Sequence, residues 1–195
     1  MQKLTALAIS TLCALASQPL MAQPRMDDHQ WFDGTSLSLG MSANKSTTTT
    51  TAAGVQESGS SSVSVAKVNY TFASDVRFKL GVSASADLQK SNLTNDVSIG
   101  RKIPTELNIE PGYLLSATTL GYAKVGGYAA SYNTPFGSKN FSGKAYGLGI
   151  KSFLTQNLFI QAEWTQHKAT GSAAMGWDKF KQTSTAVLLG YHLNN

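Results

Sequence analysis

The chain has one cysteine in 195 residues, Cys13. An intramolecular disulfide is therefore excluded, and so is a cysteine-clustered metal site. Charge is scarce too. Asp, Glu, Lys and Arg make up 14% of the sequence, against roughly 25% in soluble domains. Ser, Thr, Gly, Asn and Gln supply the polarity, and mean hydropathy is slightly negative. A soluble exterior wants about a quarter or more of its surface charged. This supply cannot furnish it, which implies that much of the exterior avoids water. Past the N-terminus no run approaches the roughly 18 unbroken apolar residues of a spanning helix. Histidines are few and far apart, His29, His167 and His192. They have no flanking ligands at metal-binding spacing, so neither metal nor cofactor is expected.

The N-terminus "MQKLTALAISTLCALASQPLMAQ" has Lys3 as a short basic region, an apolar stretch from Leu4 to about Ala16, then Pro19 and Ala22. This is the pattern of a secretory signal peptide over residues 1–22, with cleavage expected after Ala22 or, alternatively, after Ala16. The apolar run is too short for a membrane anchor of about 20 residues. Leu12 before Cys13 argues against lipidation, and removal of the signal would leave no thiol. Residues 23–33 are expected to form a short leading segment, and 34–195 one domain.

Within that domain, eight segments alternate with a period of two, the signature of strands with two unlike faces. In "RFKLGVSASADL", Phe78, Leu80, Val82, Ala84, Ala86 and Leu88 share one face, and Arg77, Lys79, Gly81, Ser83, Ser85 and Asp87 the other. Leu37, Leu39, Met41 and Ala43 mark the first segment. Val68, Tyr70 and Phe72 mark the second, where Val63 and Val65 fall out of phase and predict a bulge near Ala66. Leu107, Ile109, Pro111 and Tyr113 oppose Glu106, Asn108 and Glu110. The segment at 119–130 is ambiguous, with Tyr122, Lys124 and Tyr128 on one face and small residues on the other. Three more follow at about 144–154, 157–167 and 179–193. The connections alternate long and short. Long polar stretches such as "NKSTTTTTAAGVQESGSS" and "SYNTPFGSKNFSG" read as loops, and "SATT" and "TQ" as tight turns.

Alternation alone does not say whether the apolar face meets lipid or a dry cavity. Strand lengths of ten or more residues match a tilted membrane-spanning strand. The strand charges (Lys67, Arg77, Lys79, Asp87, Glu106, Glu110, Lys124, Lys151 and Glu163) all fall on the polar face and nearly balance. Tyr70, Phe72, Phe78, Tyr113 and Tyr191 lie near the tight turns. Tyr132, Phe141, Trp164, Trp177 and Phe180 lie near the long loops. Together they read as two interfacial girdles. The expected fold is all-β: an eight-stranded antiparallel up-and-down transmembrane β-barrel. Its lumen would be filled by a paired charge network of Lys67, Lys79, Asp87, Glu106, Glu110, Lys124, Lys151 and Glu163.

The stretches "LNIEPGYLLSATTLGYAKVGGY" and "KAYGLGIKSFLTQNLFIQAEW" resemble the central hairpins of the small outer-membrane barrels of the OmpX and OmpA transmembrane-domain type. The resemblance covers about residues 30–193. It implies that Tyr122 and Lys124 point inward and that Glu163 is an inward acid. It also implies location in a Gram-negative outer membrane, insertion by the barrel assembly machinery, and a monomer. The ending "YHLNN" departs from the aromatic terminus usual in that family, and no peptidoglycan-binding domain is expected after the barrel. The function this implies is structural or surface-interactive: membrane integrity, lipopolysaccharide contact, adhesion or resistance through long loops. No enzymatic activity is expected, and the loop ligand is unspecified. Arg101, Lys102, Lys179 and Lys181 are the candidate lipopolysaccharide contacts, joined on the rim by Lys139 and Lys168. Nucleic acid is not expected, because the bases are dispersed over an exported chain. A narrow solute pore and a lipid-modifying enzyme using His167 are the alternatives, with a soluble lipocalin-like binder behind them.

Overall fold

A computed structural model describes residues 31–50, 55–73, 77–89, 91–92, 100–101, 104–134, 137–170 and 179–193. Among these residues there is no helix. The strands are β1 (Gly34–Thr50), β2 (Val55–Thr71), β3 (Phe78–Asp87), β4 (Ser91–Asn92), β5 (Gly100–Arg101), β6 (Thr105–Ser116), β7 (Thr119–Thr134), β8 (Gly137–Phe153), β9 (Leu158–Thr170) and β10 (Lys179–Leu193). β4 and β5 are two-residue extensions of the β3–β6 hairpin, so the wall consists of eight long antiparallel strands.

The wall closes because β1 pairs with β10 along nearly its full length. The registers define its stagger. A circuit of directly paired residues runs Thr35, Tyr70, Val82, Ile109, Val125, Tyr146, Gln166, Thr183, and returns to β1 at Lys45. It comes back ten residues further along the strand than it began. Ten rises of about 3.3 Å over eight spacings of about 4.8 Å give a strand tilt of roughly 40°. The shift is even, so inward and outward faces stay in phase all the way round.

The apolar rows point out. Leu39 is 61% exposed, Leu107 68% and Leu148 62%, whereas Lys67, Lys124 and Lys151 are each 4% exposed. Leucines on the outside and lysines within invert a soluble protein and suit a cylinder solvated by acyl chains. Tyr70, Phe72, Phe78, Tyr113 and Tyr191 are all exposed at the rim of tight turns.

The structure differs from the sequence reading in four places. The register of β1 with β2 is unbroken through Ala66, so there is no bulge there. Val63 simply faces inward, 1% exposed, while the one register shift lies between Leu114 and Ser116. The long polar stretches are largely strand. β1 continues to Thr50 and β2 starts at Val55; β7 runs to Thr134 and β8 resumes at Gly137. Thr and Ser on both faces suit a pleated strand standing in water, and they hide the alternation. Phe180 is 2% exposed and stacks inside the barrel on Tyr128, centroids 6.4 Å apart, so it is not part of a girdle. Arg77 precedes β3 and is exposed at the turn rim, not on the lumen face. Tyr132 and Phe141 lie on β7 and β8, and Trp177 falls outside the described residues, as do 1–30.

The position of the lipid belt is testable by charge insertion. Leu39→Arg should lower folding stability in bilayers by about 2–4 kcal/mol. Ser58→Arg, on the same barrel but beyond the belt, should change it by less than about 0.5 kcal/mol. Urea titration of the vesicle-inserted protein reads both.

Candidate functional site

Residues of one strand that face inward recur every second position, so neighbouring strands deliver their polar rows to a common axis. β2 supplies Lys67 and Asn69, β6 supplies Glu106, Asn108 and Glu110, β7 supplies Tyr122 and Lys124, and β9 supplies Gln161, Glu163 and His167. Lys67 Nζ donates to Glu110 Oε1 at 2.6 Å and also to Glu163 Oε1. Lys124 Nζ bridges Glu106 Oε1 at 2.9 Å and Glu163 Oε2 at 3.2 Å. His167 Nε2 lies 2.8 Å from Glu106 Oε2. Two lysines, three glutamates and a histidine thus form one chain across the lumen.

Neutral groups complete it. The Tyr122 hydroxyl donates to Glu163 Oε1, and Gln161 Nε2 donates to the Tyr122 hydroxyl at 2.7 Å and to Glu163 at 2.6 Å. Asn69 and Ser83 donate to Glu110, at 2.9 and 2.6 Å. Asn108 donates to Glu106 at 2.7 Å. Donors on several sides of a carboxylate stand in for water, which is what makes a buried charge tolerable. Gly149 makes room for the Tyr122 ring. A Cβ there would stand 2.3 Å from the ring and its hydroxyl, which is tied to Glu163 and cannot retreat.

The remaining members of the expected network have other settings. Lys79 pairs with Asp33 at 2.8 Å, below the main chain of ions. Lys151 lies over the Phe159 ring, 4.5 Å from its centroid, and donates to Ser36 Oγ at 3.2 Å. Asp87 is half-buried at the end of β3, its backbone N–H donating to Pro104 O.

Below the ions, the turn end of the lumen is closed by an apolar cluster. Phe32 is fully buried with Leu114, Leu120, Phe153 and Phe159, and Trp31 packs against it. Phe32 and Phe153 meet edge to face at 5.0 Å, and Phe153 meets His192 at 5.7 Å. Sequence reasoning missed this stopper, and missed Asp33, because three residues ahead of a strand carry no periodicity. The signal available was the pair of adjacent aromatics in "QWFDG". Cavities beside the network have volumes of about 30 and 10 Å³, room for about a water molecule or two.

The described outward face carries ions of one sign. Among the described side chains, the exposed charges are Lys45, Arg77, Lys144, Lys168, Lys179 and Lys181. Of the four candidate lipopolysaccharide contacts, Lys179 and Lys181 stand on β10 and are exposed. Arg101 lies on β5, paired with Tyr132, and Lys102 falls outside the described residues. The histidine considered as a catalytic base, His167, is 5% exposed within the ion chain.

A family model described as outer membrane protein beta-barrel domain matches residues 4–192. Ail, the attachment invasion locus protein of Yersinia pestis, solved with the heparin analogue sucrose octasulfate, superposes with a TM-score of 0.55 at 18% identity. The match covers 83% of this chain and 99% of that one. Neisserial surface protein A superposes with a TM-score of 0.52 at 10% identity, covering 83% and 100%. At such identities these likenesses establish the fold. Among curated proteins none matches the sequence.

Removing one member of the ion chain should cost far more than removing the lysine seated on an aromatic ring. Glu163→Gln leaves Lys67 and Lys124 each short of a carboxylate and should destabilise by about 3–5 kcal/mol. Lys151→Met should be neutral or stabilising, since it removes a buried ammonium that has only a hydroxyl and a ring for company. Unfolding midpoints of the heat-modifiable band compare the two.

Proposed function

Since the chain belongs to the outer membrane protein β-barrel domain family, we propose that it is an exported surface-interaction protein of the Gram-negative outer membrane. In this reading the signal peptide is removed on export. The barrel is a monomeric anchor, and the extended hairpins meet partners outside the cell. The observation that carries the reading is the filled lumen. Ions crossing from β2 to β9 and the Phe32 stopper fill the described lumen at two levels, which supports a barrel that does not conduct. On this reading the barrel acts through its outer surfaces.

Those surfaces are long. β1 with β2, and β7 with β8, run on as paired ribbons well past the apolar rows. At that end stand the exposed Lys179 and Lys181, which suits contact with anionic groups such as those of lipopolysaccharide; Arg101 and Lys102 are the further contacts proposed from the sequence. Ail, which has the same fold, was solved with a polyanionic heparin analogue. The enzymatic alternative is disfavoured because His167 is buried inside the barrel, between Glu106 and the Tyr128 ring, away from any lipid-accessible rim.

Planar-bilayer recording tests the reading directly. The purified barrel should give no steady single-channel steps at moderate voltage. A reproducible conductance that scales with salt would select the narrow pore instead.

A further inference from the structure

Strand register places three outward lysines side by side. Lys144 on β8 is the direct partner of Lys168 on β9, and Lys168 is the direct partner of Lys181 on β10. All three are exposed. Adjacent strands are about 4.8 Å apart, so the row spans roughly 10 Å. Lys179 stands two residues beyond Lys181. Lys45 on β1 pairs with Thr183, one outward step below Lys181. Among the described side chains of β8, β9, β10 and β1 the only acid is Glu163, and it faces the lumen.

Like charges on directly opposed positions destabilise a sheet. A row of three with no acid beside it among the described side chains calls for an external anion. Its height is fixed by its neighbours. Lys168 lies over the outward Tyr146 ring, 5.2 Å from the centroid, and Tyr146 hydrogen-bonds Gln166. One further outward step down each strand come Leu148, 62% exposed, and Trp164, 41% exposed. A tyrosine between lysines above and leucine and tryptophan below marks a lipid–water interface.

We propose that Lys144, Lys168 and Lys181 form a phosphate-binding row for phosphorylated glycolipid headgroups of the outer leaflet. The proposal rests on the outer-membrane reading above and assigns the lipid contact to a defined strip of wall. Each ammonium offers three donors to phosphate oxygens. The row faces sideways at the edge of the apolar belt, so its ligand must stand beside the barrel with its own apolar part below. A lipid does this, whereas a soluble polyanion would meet the hairpin tips from above.

The test uses the full mature barrel and a K144Q/K168Q/K181Q variant, both refolded in zwitterionic micelles, with heat-modified migration as the check on folding. Each is titrated with purified lipopolysaccharide, with phosphatase-treated lipopolysaccharide and with heparin. Affinity for intact lipopolysaccharide should fall at least about tenfold in the variant. The treated lipid should bind the unaltered protein as weakly as the intact lipid binds the variant. R77Q, at the opposite rim, should retain full affinity. Equal affinity of both barrels for the intact lipid would overturn the row while leaving a lipid contact elsewhere. No binding by the unaltered barrel would remove that contact as well. Heparin binding lost in the variant, with lipid binding unchanged, would overturn the row as a lipid site and reassign it to a soluble polyanion.

Discussion

In hydrocarbon a peptide group has no water to bond, so every N–H and C=O of a spanning strand must find another strand. The pairing of β1 with β10 meets that demand by abolishing the edges. Most else follows from it. A closed wall has an inside, and eight strands make that inside only as wide as the side chains pointing into it. The chain must then supply a polar core that satisfies itself. Glu163 shows how: it joins Lys67, Lys124, Tyr122 and Gln161, four groups from three strands, at one carboxylate.

This solution separates the two signs of charge. Glu106, Glu110 and Glu163 are buried against lysines, and among the described side chains no acid is exposed on the outer wall. Among the described side chains, the charges exposed at the hairpin end are lysines. In a soluble domain such an arrangement would be an electrostatic liability. Next to a leaflet of anionic headgroups it is complementary, and lumen and exterior can be read as two halves of one charge plan.

Much of the barrel was legible because membrane strands obey one strong rule. Period-two alternation located all eight long strands, and it put Leu39, Leu107 and Leu189 on one face and Lys67 and Glu106 on the other. The ambiguous fifth segment was settled by resemblance, and Tyr122 and Lys124 do lie inside. Legibility failed where the rule has no purchase. Beyond the lipid both faces are wet, so Thr47–Thr50 read as loop although they pair in register with β2. Near the lumen ends the interior accepts apolar groups, so Val63 and Phe180 broke the expected pattern while keeping its phase. The stopper residues Trp31 and Phe32 depend on contacts with β6, β7, β8 and β9 that no local window contains. The joining of particular ions across the lumen likewise needs the register, which alternation alone does not fix.

The seat of Phe32 also orders events in time. Its pocket is built from Leu114, Leu120, Phe153 and Phe159, and the strand it precedes is zipped to the last strand of the chain. The pocket needs β9 and the zipper needs β10, so both are complete only when the last strands have curled round. The first described residues to leave the ribosome are therefore the last to settle, and their docking is the natural marker of a finished cylinder.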